Sequence, residues 1–335
     1  MAATRAWTRI DFDKDGKQSD YVRVPFSSDK SAYGWIPVPM ICIRNGDGPT
    51  ALLTAGNHGD EYEGQIALLE LARTITAPEL QGRIIILPAL NYPAVVAGRR
   101  VSPLDDGNLN RLFPGEANGG PTAMIAHYVE TVLFPLSDIV IDLHSGGKSL
   151  DHYPVALARP GLNPETTAKI HTLLQAFGAP YSVVTTGEGG GAGSTLYAAA
   201  EQHGIPALTT ELGSGGTLSA LGLSIAKNGV RRVLKAYGIA PDVATAESPG
   251  TKFMRSLSRT GSVYAPRGGL FEPFVDCGEN VVKGQDAGLL HSFDDPLAEP
   301  ENLVFEADGV VICRRFPTLT ERGDCLYSLM VEANG

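Results

Sequence analysis

Residues 51–75 read ALLTAGNHGDEYEGQIALLELARTI. The run opens as a short strand of Ala, Leu and Thr and breaks at Gly56. From Glu61 it resumes at helical spacing, with Leu68, Leu71, Ala72 and Ile75 on one apolar face. A strand that hands over through glycines to a helix is the opening of a βαβ unit. The same alternation continues along the chain. RIIILPAL (83–90), DIVIDLH (138–144), YSVVTT (181–186) and PALTTEL (206–212) read as strands, with helices at PTAMIAHYVETVLF (121–134), NPETTAKIHTLLQAF (163–177) and around 216–237. Strands apolar on both faces and interleaved with helices predict an α/β fold whose mostly parallel or mixed sheet is covered on both sides.

Upstream, IPVPMICIRNGDGPTALLTAG holds two apolar runs joined by Asn-Gly-Asp-Gly at 45–48, which predicts a hairpin. Downstream of ATAESPGTKFM (244–254) the character changes to short strands, many glycines and no convincing helix. The expected division is an α/β domain over 1–247, with its N-terminal β-hairpin, and a small all-β domain over 248–335.

A chain of 335 residues can bury a large core, and its 43% hydrophobic and 19% charged content is ordinary for a globular protein. The net charge of −10 argues against a nucleic-acid surface, which needs clustered Lys and Arg. MAATRAWTRIDFDKDGKQSD lacks an apolar signal core, and nothing approaches a membrane-spanning apolar run. Cys42, Cys277, Cys313 and Cys325 are scattered, which suits reduced thiols. The expectation is therefore a cytoplasmic protein with no membrane and no nucleic-acid partner. A homo-oligomer is compatible with it.

The segment TAGNHGDEYEG (54–64) lies at the carboxyl end of a strand, where ligands bind in open α/β sheets. His58 and Glu61 stand three apart at the entry to a helix, and spacing of this kind points both side chains the same way. One imidazole and one carboxylate are two of the three protein ligands that a catalytic zinc takes, the fourth position staying open. His144, at the end of DIVIDLHSGG, is the third. A lone histidine would read as a loop residue; a His-x-x-Glu flanked by glycines, with a second strand-end histidine, reads as a metal site. Asp142 is either a supporting carboxylate or part of the strand.

Hydrolysis at such a metal needs a base and cations for developing negative charge. Glu211 ends another apolar strand in TTELGSGG (209–216), where a carboxylate is costly unless paired or functional. GRRVSPLDDGNLNRLFPG (98–115) gathers Arg99, Arg100, Asn108, Asn110 and Arg111 in a segment without apolar period. Arg111 suits a bidentate pair with a carboxylate, and Asn110 can donate beside it. His127, His171 and His203 fall in helical stretches, and His291 in the β domain. GEGGGAGS (187–194) lacks the Gly-Lys-Ser/Thr ending of a phosphate loop.

GNHGDEYEG, NLNRLFPG, DLHSGG and TTELG, in that order, resemble the succinylglutamate desuccinylase/aspartoacylase family of zinc amidohydrolases, over roughly residues 30–330. The resemblance implies one Zn2+ on His58, Glu61 and His144, and Glu211 as general base. It implies Asn110 with Arg111 as the clamp for a substrate carboxylate, and Arg100, or its neighbour Arg99, polarising the scissile carbonyl. Many members read Asp-Leu-Asn-Arg where this chain has Asn108-Leu109-Asn110-Arg111, a change of charge beside the clamp. Within the family, the overall sequence is most similar to the N-acetyl-diaminobutyrate deacetylases of ectoine degradation. The implied partner is a small N-acyl amino acid. The rival within the same chemistry is a carboxypeptidase; a binding module with structural zinc would normally fill all four positions, often with Cys. The β domain resembles a lipoyl/biotinyl-type barrel sandwich without the lysine hairpin that is modified there.

Overall fold

The computed structural model describes residues 3–185, 193–213, 215–257 and 259–333. In chain order the first half runs β1 (Gly16–Pro25), β2 (Trp35–Asn45), β3 (Thr50–Ala55), α1 (Glu63–Thr74), β4 (Gly82–Leu87), α2 (Tyr92–Ala97), α3 (Pro121–Tyr128), β5 (Ile139–Leu143), β6 (Leu150–His152) and β7 (Val155–Ala158). It continues through α4 (Pro164–Phe177), β8 (Tyr181–Val184), α5 (Leu196–Gln202), β9 (Ala207–Glu211) and α6 (Ala220–Ala236). The C-terminal strands are β10 (Lys252–Ser256), β11 (Ser262–Tyr264), β12 (Gly269–Pro273), β13 (Asn280–Val281), β14 (Asp286–His291), β15 (Glu301–Val304), β16 (Gly309–Arg315), β17 (Leu319–Thr320) and β18 (Cys325–Glu332).

Fourteen strands form one mixed sheet, ordered β1-β2-β4-β3-β5-β9-β7-β8-β10-β18-β16-β13, with β11 on β18 and β6 on β16. Its centre is parallel: β3 pairs with β4 and β5, and β5 with β9. These strands are buried on both faces, and alternate residues feed two separate cores. Leu53, Ile86, Ile141 and Leu208 face one core with α1, α4 and α6. Leu52, Ile85, Val140 and Ala207 face the other with α3 and α5. Full burial of such a side chain contributes about 1.5–3 kcal/mol, and Leu53→Ala would cost roughly 2–5 kcal/mol with its cavity. The mixed sheet and its helical cover match the expected fold class.

The hairpin expected across residues 45–48 does not form. β4 lies between β2 and β3, antiparallel to the first and parallel to the second. The apolar run of β3 needs a partner on each side, and β4 and β5 both supply one in parallel. The Arg83 N–H donates to Pro49 O, so the connection is held against the start of β4 rather than closing a tight turn. β2 instead forms a ten-pair antiparallel ladder with β1.

Among the described residues after β10 there is only a single 3-10 turn, at Arg259–Gly261, and no α-helix. β12, β14, β15 and β17 make a small antiparallel sheet, ordered β15-β14-β12-β17. Phe271 and Leu290 of this sheet pack against Val311, Leu326 and Tyr327 of β16 and β18, forming a third core. The β16–β18 ladder also continues the main sheet, because β10 is parallel to β8 and antiparallel to β18. No helix is long and apolar enough to cross a membrane among the described residues.

Candidate metal centre

Three loops leave the carboxyl ends of neighbouring parallel strands and converge. The loop after β3 carries His58 and Glu61, the loop after β5 begins with His144, and β9 ends in Glu211. The first loop is pressed against the end of α2. A Cβ on Gly59 would stand 2.0 Å from Ala94 O, so only glycine lets His58 sit where it does.

Glu61 lies between the two imidazoles. Its Oε1 is 2.7 Å from His58 Nδ1 and its Oε2 is 2.8 Å from His144 Nδ1. One candidate ligand atom from each residue lies within 4.8 Å of the others, and all three residues are buried. The far ring nitrogens have acceptors. His144 Nε2 is 2.8 Å from Asp142 Oδ2, and His58 Nε2 is 3.1 Å from Asn108 Oδ1. With Nε2 held by these acceptors, each Nδ1 is the nitrogen turned inward and would offer its lone pair to a bound metal, as metal-binding histidines are commonly oriented. Asp142 is itself fixed, taking the Thr54 hydroxyl at 2.7 Å and the Asn57 amide at 3.2 Å. The Ser145 N–H donates to Glu61 Oε2 at 3.1 Å.

The electrostatics suit a cation. Burial alone would raise the Glu61 carboxyl, but the His58 and His144 imidazoles reverse this and hold it well below the usual carboxylate range. Burial alone would depress His144, yet Asp142 and Glu61 hold it well above its ordinary value. Two buried carboxylates thus bracket one imidazole, a place where positive charge is stabilised. Two nitrogens and one carboxylate are the donor set of a catalytic zinc with a position left open, and the residues present fit that ion.

Around this triad stand three other groups singled out from sequence. Arg100 Nη1 is 3.2 Å from His58 Nδ1 and 3.6 Å from Glu61 Oε1. Arg99 instead lies 4.0 Å from the solvent-facing Asp106. Glu211 keeps its Oε2 enclosed without a hydrogen-bond partner among the described residues. Burial pushes its carboxyl up to about 8, Glu61 adding to the rise while His144 and Arg100 oppose it. Arg111 is exposed and only partly desolvated, donates to Asn110 O at 2.7 Å, and has no carboxylate within 4.0 Å among the described residues. Burial first, and then Arg100, draw it below the ordinary guanidinium value.

Asn110 turns inward. Its Oδ1 takes the Leu196 N–H at 2.9 Å, and its Nδ2 is 3.4 Å from His144 Nε2. Asn108, whose exchange for Asp was expected to alter charge at the clamp, faces His58. Asp105 is occupied by the Thr122 hydroxyl and N–H at the start of α3. Of the other histidines, His127 is buried in α3, His203 pairs with Glu130 at 2.5 Å, and His291 pairs with Glu272 at 2.7 Å. Most of the glycine run at 187–194 lies outside the described residues.

Two groups near the centre were not singled out from sequence. Tyr197 is close enough to Arg111, Glu211 and Arg159 to feel their charges. His152 has a buried, unpartnered Nδ1 among the described residues, and burial pushes its imidazole down to about 4, with Glu61 the charge it feels. Neither carries a motif, and each reaches the centre through strand or helix packing alone.

A two-histidine, one-glutamate centre at the strand ends of an α/β sheet, beside a cation and a buried carboxylate, defines a hydrolase with a zinc-type site. Residues 47–237 match the catalytic domain of the succinylglutamate desuccinylase/aspartoacylase family, and the chain belongs to that family. It is 38% identical to the N-alpha-acetyl-L-2,4-diaminobutyric acid deacetylase of Halomonas elongata, over 95% of this chain and 92% of that one. The product-bound ectoine utilization protein EutE (DoeB) of Ruegeria pomeroyi superposes with a TM-score of 0.94 at 41% identity, covering 99% of this chain and all of that one. A succinylglutamate desuccinylase/aspartoacylase structure from Rhodobacter sphaeroides gives 0.93 at 39%, covering 99% of this chain and 100% of that one.

Proposed function

We propose that this chain is a zinc-dependent amidohydrolase that removes the acyl group from a small N-acyl amino acid. The observation that carries this reading is that, beside the metal triad and among the described residues, Arg111 is a cation with no carboxylate within 4.0 Å and Glu211 keeps a buried Oε2 without a hydrogen-bond partner. A substrate carboxylate would complete Arg111, and an attacking water would complete Glu211. Zinc on His58, Glu61 and His144 would supply Lewis-acid polarisation and stabilise negative charge developing on the scissile carbonyl.

Glu211 takes a proton from the attacking water and passes it to the departing amine. Burial suits it to both halves of that cycle, since a carboxyl shifted toward neutrality accepts and returns a proton near physiological pH. Arg100, half-exposed beside His58 and Glu61, reaches the side on which carbonyl charge would develop. Arg111 fixes the substrate carboxylate, and Asn110 holds Arg111 through its backbone carbonyl while anchoring the start of α5. Asp142 and Asn108 keep the two histidines in the orientation the metal needs.

The substrate we propose is Nα-acetyl-L-2,4-diaminobutyrate, giving acetate and L-2,4-diaminobutyrate. Its support is the identity to the Halomonas elongata deacetylase along nearly the whole chain, together with the likeness to the product-bound ectoine utilization protein. The test is kcat/KM for the α-acetyl isomer against the γ-acetyl isomer, N-acetylaspartate, N-succinylglutamate and short peptides. A tenfold preference for N-acetylaspartate or N-succinylglutamate, about 1.4 kcal/mol at the transition state, would overturn the substrate and leave the hydrolytic centre standing. Preference for peptides would favour a carboxypeptidase.

A further inference from the structure

Glu63 opens α1 two residues after the ligand Glu61, and its side chain is fully buried. Among the described residues no cation pairs with it within 4.0 Å. Instead, each carboxylate oxygen takes a hydrogen bond from a different loop. The Ser145 hydroxyl donates to Oε2 at 2.5 Å, and the Ser219 N–H donates to Oε1 at 2.7 Å. The chain just after Glu211 passes directly over the same carboxylate: a Cβ on Gly213 would stand 2.4 Å from Oε1. Ser145 also donates its own N–H to Glu61, so one residue links Glu63 to a metal ligand. Two backbone bonds run alongside, from Gly146 N–H to Gly213 O at 2.9 Å and from Gly216 N–H to Gly147 O at 3.1 Å.

Burying a carboxylate without a cation is expensive unless its oxygens are fully satisfied, and here the satisfying donors lie 82 and 156 residues away in sequence. We infer that Glu63 is a positioning residue for hydrolysis, which locks the loop that follows Glu211 to the two loops carrying the metal ligands. Strand β9 ends on Glu211 itself, so this one buried carboxylate fixes the spacing between base and metal centre from the far side, where the ladder with β7 stops. This inference rests on the reading of Glu211 as base.

The experiment compares wild type with Glu63→Ala and Glu63→Gln by amide hydrogen exchange, zinc content and steady-state kinetics on Nα-acetyl-L-2,4-diaminobutyrate. Glutamine preserves the shape; its oxygen can take the Ser219 N–H while its amide donates to the Ser145 hydroxyl oxygen. The alanine variant is expected to exchange at least tenfold faster across residues 212–219, with β3, β5 and β9 unchanged. Its kcat should fall at least tenfold with KM within threefold and about one zinc per chain retained, and Glu63→Gln should recover to within threefold of wild type. Unchanged exchange at 212–219 in Glu63→Ala, or an alanine loss that falls on KM alone, overturns the inference. If Glu63→Ala does not fold, Ser145→Ala removes one arm only, and its exchange at 212–219 must still rise threefold or more. The exchange comparison needs no substrate, so a wild type inactive on every N-acyl amino acid would defeat the proposed function without deciding the role of Glu63.

Discussion

Asp142→Asn isolates the support behind a metal ligand. The native carboxylate is fully enclosed and accepts three hydrogen bonds, from His144 Nε2, the Thr54 hydroxyl and the Asn57 amide. Asparagine keeps the shape. Its oxygen can still face His144 and Asn57, while its amide group turns toward Thr54, whose hydroxyl rotates to accept. What disappears is the negative charge. A charge-assisted bond is worth roughly 1.5–3 kcal/mol against about 1 kcal/mol for a neutral one, so the His144 contact weakens by about 1–2 kcal/mol. That corresponds to roughly 5–30-fold in metal affinity, overlapping the lower part of the range of about 10–100-fold seen for partners of metal-bound histidines. The assay is zinc competition against a chelator of known affinity, with metal content measured in parallel. Wild type should bind about one zinc per chain, and His144→Ala should bind none under the same conditions. Asp142→Asn should release zinc at a free-metal level raised about tenfold, while melting in the presence of excess zinc stays near wild type. Zinc affinity of Asp142→Asn within threefold of wild type would refute the reasoning.

Glu211→Gln should lower kcat by about 10²–10⁴-fold with zinc retained, as expected for loss of a general base; a variant within threefold of wild type removes that role. Arg111→Ala should lower kcat/KM by an amount equivalent to about 2–5 kcal/mol, chiefly through KM, since a substrate carboxylate is left without its partner. Equal turnover of acid and amidated substrates by wild type would place the clamp elsewhere. Acid stability should report the Asp20–Arg23 pair, whose two nitrogen–oxygen contacts are 2.6 and 2.7 Å. Hydrogen bonding to the Arg23 guanidinium holds the Asp20 carboxyl well below the usual range. A depressed folded-state pKa gives stability that is present above the unfolded value near 4 and lost as pH falls through the folded one. The melting difference between wild type and Asp20→Asn should therefore be constant from pH 7 to 5 and shrink below about pH 4; a difference that is undiminished at pH 3 would count against it.

Local pattern was enough for the elements and for the motif residues. The double-sided apolar runs of β3, β5 and β9 leave few alternatives to a covered parallel sheet, and glycines at 56 and 59 with His58 and Glu61 mark a ligand-bearing strand end. His144, Glu211 and Arg111 were legible for the same reason: each sits where a run of apolar residues stops or where no apolar period exists. Arg100 and Arg99 were not separable, because adjacent side chains in a loop diverge only once the backbone is fixed; one reaches Glu61 and the other Asp106.

Strand order, by contrast, depends on which edges find partners, and an Asn-Gly-Asp-Gly segment looks the same whether it closes a hairpin or crosses the start of β4. The supporting atoms of the site were equally hidden. Asn108 meets His58 across 50 positions, Glu63 meets Ser145 across 82 and Ser219 across 156, and His152 is buried toward the charge of Glu61 from a strand that pairs with β16. Sequence by itself determined which side chains could do the chemistry, because residue type and local period are written into neighbouring positions. Only the tertiary structure decided which groups orient them, because a buried polar atom takes its partner from whatever the packing of distant segments brings within hydrogen-bond reach.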